Sequence, residues 1–126
     1  MNEDSGSTLL VVDDESAVCR ALRRMLRGRI ERIMTAETPE DAETVLASTV
    51  VTHLICDHYL GPGQPLGMDL AAKWRVRYPN LKRVVVLTGK DVDGIEPASG
   101  IDHVLPKTTE PDRLAALLQL RGSERA

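Results

Sequence analysis

Short apolar runs alternate with amphipathic stretches along most of the chain. Five runs rich in Val, Leu and Ile have the length of strands: residues 8–12, 30–36, 53–56, 83–87 and 101–105. In the stretches that follow them, apolar residues recur every three or four positions, which is typical of helices that bury one face. Repeated strand–helix alternation predicts an α/β fold, a doubly wound five-stranded parallel sheet with helices on both faces.

Helix boundaries are marked in several of the amphipathic stretches. Thr38 before Pro39 predicts a helix start, because Thr caps the first turn and Pro fits the first helical position. Ser16 is a predicted N-cap and Gly28 a predicted stop for the first helix. Residues 90–100 contain Gly and Pro, which predicts only a short, atypical fourth helix.

Polar side chains follow four of the five predicted strands at the point where each strand ends. Asp13 and Asp14 end the first strand, Asp57 the third, Thr88 the fourth and Lys107 the fifth. In a parallel sheet these ends share one edge, where ligands bind near the reversal of strand order. We therefore expect the five side chains to converge.

The charges of this predicted cluster balance in the presence of a divalent cation. Three carboxylates carry three negative charges, and Mg²⁺ with the Lys107 ammonium carries three positive ones. Mg²⁺ prefers oxygen ligands and is commonly bound together with a phosphate group. Such a site permits attack by an Asp carboxylate on a phosphoryl group, with Lys107 and Thr88 holding phosphoryl oxygens.

Composition limits the remaining possibilities. The 126 residues suit one domain, expected at 8–121 between a flexible N-terminus (1–7) and a flexible tail (122–126). A net charge of −3 does not provide the overall positive charge that is typical of proteins that bind nucleic acid. No apolar run is long enough to span a membrane. Residues 1–8 do not have the pattern of a secretory signal. Cys19 and Cys56 lack metal or redox spacing, which favours free thiols in the cytoplasm.

Four segments together resemble the receiver domain of bacterial two-component response regulators, the family that includes the stand-alone chemotaxis regulator. They are residues 10–15 (LVVDDE), 54–57 (LICD), 86–89 (VLTG) and 100–107 (GIDHVLPK). The resemblance covers about residues 8–120 and implies a flavodoxin-like fold. It also implies a signalling module that acts only on its own phosphorylation state, and not a turnover enzyme.

The resemblance assigns a role to each candidate residue. It implies that Asp57 is the phosphoacceptor, Asp14 a direct Mg²⁺ ligand and Asp13 a ligand acting mostly through water. The backbone carbonyl of Tyr59 completes the implied protein ligands. Thr88 is the implied switch hydroxyl. Lys107 is the implied partner of the phosphoryl group.

The implied phosphoryl donor is a sensor histidine kinase or a histidine phosphotransfer protein. The first helix, which carries Arg20 and Arg24, is the implied docking element. We expect no nucleic-acid or membrane partner for this domain, and the sequence leaves the oligomeric state open.

The chain departs from the family pattern at several positions. Val104 stands where the family usually has Tyr or Phe, and Thr108 stands where it has Pro after a cis bond. A cis Lys107–Thr108 bond would cost about 3 kcal/mol, so we expect a trans bond. The Gly- and Pro-rich loop at 61–65 is longer than usual. With the weak segment at 90–100, these departures predict ordinary phosphate chemistry and an unusual output face.

Tyr59 and Lys90 follow Asp57 and Thr88 at a spacing of two residues. In the family these positions tune how fast water removes the phosphoryl group. A bulky Tyr59 and a cationic Lys90 predict slow loss of phosphate.

Two alternatives remain beside the phosphoacceptor interpretation. The first is a receiver-like docking domain that acts without phosphorylation, which Val104 and Thr108 favour. The second is a hydrolase of the haloacid dehalogenase kind, which carries an Asp two residues after its nucleophile. Tyr59 occupies that position here, and this disfavours the hydrolase.

Overall fold

A computed structural model describes residues 6–89 and 95–121, which form five strands and four helices. In chain order these are β1 (Thr8–Val12), α1 (Ser16–Leu26), β2 (Arg32–Ala36), α2 (Pro39–Ser48), β3 (His53–Asp57), α3 (Gly67–Arg77), β4 (Arg83–Thr88), β5 (His103–Pro106) and α4 (Pro111–Leu118). Within these ranges no helix is both long and apolar enough to cross a membrane. The predicted C-terminal tail, most of the predicted flexible N-terminus, and Lys90 lie outside the described residues.

All four strand pairings are parallel, and the spatial order is β2-β1-β3-β4-β5. The chain runs from β1 outward to β2, and then returns past β1 to form β3 on its other side. The order of the strands therefore reverses between β1 and β3, where ligands bind in open sheets of this kind. The doubly wound parallel sheet predicted from the sequence is confirmed.

The core has one layer on each side of the sheet, because successive strand residues point to opposite faces. One layer packs side chains such as Leu10, Leu54 and Val84 against α2 and α3, with Trp74 fully buried among them. The other layer places the alternate strand residues against α1 and α4. Aliphatic side chains dominate both layers.

Element boundaries confirm some predicted signals and correct others. The Thr38 side chain accepts a hydrogen bond from the Asp41 amide at 3.0 Å, so the predicted cap of α2 is confirmed. Ser16 is instead the first helical residue of α1 and Glu15 is the N-cap. The Glu15 carbonyl already accepts the amides of Val18 and Cys19, which moves the helix start one residue earlier.

The short helix predicted at 90–100 is not found in the described part of the connection between β4 and β5, residues 95–102, and residues 90–94 lie outside the described residues. Arg75 of α3 anchors this part: its guanidinium donates to the carbonyls of Gly100 (2.9 Å) and Lys82 (3.1 Å) and to Asp102 Oδ2 (3.1 Å). Asp102 Oδ2 also accepts the Val84 amide at 2.8 Å. These bonds fix the entry to β5.

His53, at the start of β3, is buried with 8% of its surface exposed. Its Nδ1 lies 2.8 Å from the Thr52 hydroxyl. Burial, reinforced by the positive charges of Lys82 and Arg83, lowers the pKa of His53 to about 4. The folded protein therefore keeps this imidazole neutral at pH values where an unfolded chain protonates it.

We predict that acidification destabilises the fold through His53. Between pH 7 and pH 5 the unfolded chain binds a proton at this residue and the native chain does not, which lowers the free energy of unfolding by about 2 kcal/mol. Urea denaturation of the wild type and of His53→Asn at both pH values measures this difference. Equal pH dependence in the two proteins would contradict the prediction.

Gly67, the first residue of α3, packs directly on the end of β3. A Cβ at this position would lie 1.9 Å from the Asp57 carbonyl oxygen and 2.8 Å from its carbonyl carbon. The Gly67 amide donates to the His58 carbonyl at 2.7 Å. Only glycine allows this approach, which fixes the backbone that carries Asp57.

We predict that Gly67→Ala lowers the free energy of unfolding by about 2 kcal/mol or more, because the backbone has to move to relieve the overlap. Gly89→Ala is the matched control, since a Cβ there meets nothing within 4 Å. Urea denaturation of both variants provides the measurement. A Gly67→Ala protein as stable as its control would refute the close approach.

Candidate functional site

The residues predicted to converge do lie together at the carboxyl edge of the sheet. Asp13 directly follows β1, Asp57 and Thr88 are the last residues of β3 and β4, and Lys107 follows β5. The Lys107 Nζ atom lies 3.0 Å from Asp13 Oδ2 and 3.2 Å from Asp57 Oδ2. The Lys107 amide donates to the Thr88 carbonyl at 2.9 Å. The end of β5 is therefore connected to the ends of β1, β3 and β4.

Lys107 has a third acidic neighbour that the sequence analysis did not single out. Glu15 Oε1 lies 3.6 Å from Lys107 Nζ, but the Glu15 side chain is largely exposed. Solvent screening makes such a pair weak. The sequence feature that could have pointed to Glu15 is its position directly after Asp13 and Asp14. An acidic residue at this position is also common for another reason, because it lies at the start of a helix.

Burial sets the ionisation of the two inner carboxyl groups. Asp13 and Asp57 are only 2% and 4% exposed, and desolvation raises the pKa of each. Neighbouring negative charge raises both further, while Lys107 and single backbone amides lower them. One of those amides is Glu15 N, which donates to Asp13 Oδ1 at 2.9 Å.

The same pairing acts on the lysine in the opposite direction. Burial alone would lower the pKa of Lys107, but its hydrogen bonds and charge interactions with Asp13 and Asp57 outweigh burial and raise that pKa. Lys107 therefore stays fully charged at neutral pH. The ammonium group neutralises part of the buried negative charge.

Three carboxyl groups in the cluster are placed to share a cation. One oxygen each from Asp13, Asp14 and Asp57 lie within 4.8 Å of one another. Asp14 is exposed, so the group opens to solvent on one side. A Cβ on Gly61 would lie 3.7 Å from Asp14 Oδ2, which places the Gly-Pro loop close to this opening. An all-oxygen set of this kind fits a hard divalent metal ion.

Tyr59 and His58 follow Asp57 and lie beside the cluster. The Tyr59 amide donates a hydrogen bond to the Asp57 carboxylate. Its side chain is half exposed, and its ring meets the His58 ring edge-on, with 5.2 Å between centroids. The Nδ1 atom of His58 is buried and has no hydrogen-bond partner among the described residues.

The positions that depart from the family pattern have clear places in the fold. Val104 is half-buried and packs against the core layer that contains α2 and α3. No described peptide bond is cis, so the expected trans bond between Lys107 and Thr108 is confirmed. Thr88 is buried with 1% exposure at the end of β4.

The chain matches a known protein family over most of its length. The family model described as the response regulator receiver domain matches residues 9–119. The alginate biosynthesis transcriptional regulatory protein AlgB of Pseudomonas putida is 33% identical over 122 residues, which cover 94% of this chain and 27% of that protein. The hydrogenase transcriptional regulatory protein HoxA of Cupriavidus necator is 32% identical over 115 residues, which cover 88% of this chain and 23% of that protein. The chain thus spans about a quarter of the length of these relatives.

Solved structures share the fold. A response regulator from Burkholderia pseudomallei, described with a phosphorylated aspartic acid, a calcium ion and citrate, superposes with a TM-score of 0.76. It is 25% identical, and the match covers 90% of this chain and 66% of that one. The signal receiver domain of an HD domain-containing protein from Pseudomonas fluorescens superposes with a TM-score of 0.76 at 24% identity. That match covers 90% of this chain and 91% of the other. Because the receiver domain model matches residues 9–119, the chain belongs to the response regulator receiver domain family.

Proposed function

We propose that this domain accepts a phosphoryl group on Asp57 within a two-component phosphorelay. The observation that carries the proposal is the Lys107 ammonium, 3.2 Å from Asp57 Oδ2 inside a cluster of three carboxyl groups. A carboxylate, a cation and a buried hydroxyl at the ends of three strands match what phosphoryl transfer needs, which is positioning and charge stabilisation.

The proposed donor is a phosphohistidine on a sensor histidine kinase or a histidine phosphotransfer protein. A carboxylate oxygen of Asp57 attacks phosphorus, the phosphorus–nitrogen bond breaks, and the imidazole keeps the electron pair. Lys107 pairs with one phosphoryl oxygen as a point charge, and the Thr88 hydroxyl donates to another. The product is an aspartyl phosphate.

We propose Mg²⁺ as the cation of this site. Asp13, Asp14 and Asp57 supply carboxylate oxygens that suit it, and the Tyr59 carbonyl is the proposed fourth protein ligand. When bound, Mg²⁺ supplies positive charge that offsets these carboxylates and the incoming phosphoryl group. Burial, reinforced by neighbouring carboxylates, raises the pKa of Asp13 and of Asp57, and a bound cation would favour the charged form of both.

A groove beside Lys107 supports docking of the phosphoryl donor. It lies between α1 and the start of α4, has a volume of about 420 Å³, and includes Ala21, Leu22, Met25 and Pro111 in its walls. Such an apolar patch at the edge of a reactive site suits a protein partner. Arg20 and Arg24 on α1 are exposed and would speed association with an acidic partner.

The proposed setting is the cytoplasm, where sensor kinases present their phosphohistidine. The proposed output is a change of surface initiated at Thr88. Because Val104 replaces the usual aromatic residue, that change does not include the inward swing of a ring. The prediction that this domain makes no nucleic-acid contact stays a prediction.

We expect acetyl phosphate to add one phosphoryl group to the protein. Intact mass is measured after incubation with and without Mg²⁺, beside Asp57→Ala. The gain is expected to require both Mg²⁺ and Asp57. Absence of a gain, in folded protein that also fails to bind beryllofluoride, would favour the docking domain that acts without phosphorylation.

A second prediction concerns the energetic cost of the site. In EDTA, Asp57→Asn is expected to raise the free energy of unfolding by roughly 1 kcal/mol, since it removes a desolvated charge beside Asp13. Addition of Mg²⁺ is expected to stabilise the wild type more than this variant. Urea denaturation with and without Mg²⁺ measures both effects.

Glu96→Gln is the control, because it removes one negative charge from an exposed position that is not part of the three-carboxyl cluster. It should leave the response to Mg²⁺ unchanged. An equal Mg²⁺ response in the wild type and in Asp57→Asn would place the cation elsewhere.

A further inference from the structure

The opposite edge of the sheet, away from Asp57, carries a cavity lined by basic residues. We propose that this cavity binds a small anion with two linked phosphate groups. The cavity has a volume of about 230 Å³. Four cationic side chains line it: Arg29, Lys82, Arg83 and Arg121.

The positive charge in this cavity is only partly neutralised. Glu31 is the sole acidic residue in the lining. Arg29 pairs with Asp112, which is almost fully exposed, so that pair is weak. Lys82 and Arg121 make no ion pair within the described part of the chain. Cations gathered in one concavity repel one another unless an anion joins them.

Arg83 pairs with one carboxylate, that of Asp102, and this carboxylate also pairs with Arg75. Its guanidinium lies 3.7 Å from Asp102 Oδ1, whereas Arg75 holds Asp102 Oδ2 at 3.1 Å. The Asp102 charge is therefore divided between two arginines. The chain as a whole carries a net charge of −3, so the cationic lining is a local feature of this edge.

A second cavity adjoins the first and extends the positive surface. It has a volume of about 480 Å³ and is lined by Arg23 and Arg27 of the α1 region, and it shares Ile30, Glu31 and Arg121 with the first cavity. Arginine binds phosphate through paired N–H groups in a fixed plane. Two cationic cavities that share one arginine suit a ligand whose two anionic groups are joined.

Backbone hydrogen bonds hold the walls in place. The Arg121 amide donates to the Arg29 carbonyl at 2.9 Å, which ties the end of α4 to the turn after α1. The Lys82 amide donates to the Thr52 carbonyl at 2.7 Å, and the Arg32 amide to the Ser7 carbonyl at 3.2 Å. Because the backbone of the walls is already held in place, a ligand would have to order side chains only.

The dimensions and lining favour a compact ligand over a macromolecule. The first cavity is smaller than the roughly 300–1,000 Å³ typical of sites for drug-sized ligands. No Trp, Tyr or Phe lines either cavity, so the lining lacks the large aromatic side chains on which single-stranded nucleic acids usually stack their bases. The cations face a concavity, whereas an extended polyanion is better served by an open basic stripe.

His53 forms part of the cavity wall and reports on occupancy. Burial and the charges of Lys82 and Arg83 lower its pKa to about 4, while its hydrogen bond to the Leu118 backbone opposes that shift. An anion bound beside these cations would offset their effect. Its binding should therefore raise the pKa of His53 towards the ordinary value.

Pyrophosphate is the probe. Calorimetric titration is carried out in EDTA at low ionic strength, where no divalent cation links the probe to the Asp57 cluster. Lys82→Gln/Arg121→Gln is expected to weaken binding at least tenfold. Lys73→Gln/Arg113→Gln removes the same charge from exposed positions outside both cavities and should change affinity less than twofold.

A second readout locates the ligand. Nuclear magnetic resonance should show the His53 imidazole titrating at higher pH with pyrophosphate present. Asp57→Ala should bind pyrophosphate as the wild type does, so this inference is independent of the proposed phosphoacceptor function.

Three results would overturn the proposal. Equal weakening in the two double variants would mean general charge attraction without a site. An unchanged His53 titration would place the ligand outside the cavity. Tighter binding of a single-stranded oligonucleotide or a glutamate-rich peptide, lost in Lys82→Gln/Arg121→Gln, would make this edge a macromolecular contact.

Discussion

The pairing of Lys107 with two nearly buried carboxylates is the interaction on which the carboxyl edge of the sheet depends. An unpaired carboxylate in that position would cost several kcal/mol. The lysine comes from the end of β5, whereas Asp13 and Asp57 come from the ends of β1 and β3. The pairing therefore needs all three strands at their correct lengths. It also leaves the cluster negative, because one ammonium faces three neighbouring Asp carboxyl groups. A site that is held together and still short of positive charge is suited to take up a cation.

The topology explains why the candidate phosphoacceptor site lies at this edge. The strand order reverses between β1 and β3, so the helices that follow these strands leave to opposite faces and open a crevice above Asp13 and Asp57. Gly67 lets α3 begin directly against the Asp57 carbonyl. The fold thus fixes the backbone of the phosphoacceptor candidate from two sides, through the β4 pairing and through α3.

The fold and the convergence of the candidate site residues could be predicted from the sequence, because both follow from repeated local patterns. Alternating strands and helices imply a parallel sheet, and parallel strands bring residues such as Asp57 and Lys107 to one edge whatever their separation in the chain. Boundaries that depend on competition for single hydrogen bonds were less predictable. Strand β5 begins at His103 and not at residue 101. The reason is that the Asp102 carboxylate accepts a hydrogen bond from the Val84 amide, and the Asp102 amide donates one to the Val84 carbonyl. The basic cavity was missed because its walls come from five separate segments, and no local pattern joins Arg29 to Arg121.

The two edges of the sheet are connected through α4 and the entry to β5, and this connection bears on how a change at Asp57 could travel. The Lys107 amide is bonded to the Thr88 carbonyl, and α4 begins four residues after Lys107 and ends beside the basic cavity. The entry to β5 is held by Arg75 and Asp102. Val104, between these fixed points, is aliphatic, half-buried and packed against the core layer that contains α2 and α3. Because position 104 has no aromatic ring to swing inward, we expect a change at Asp57 to travel through the Lys107 main chain and α4.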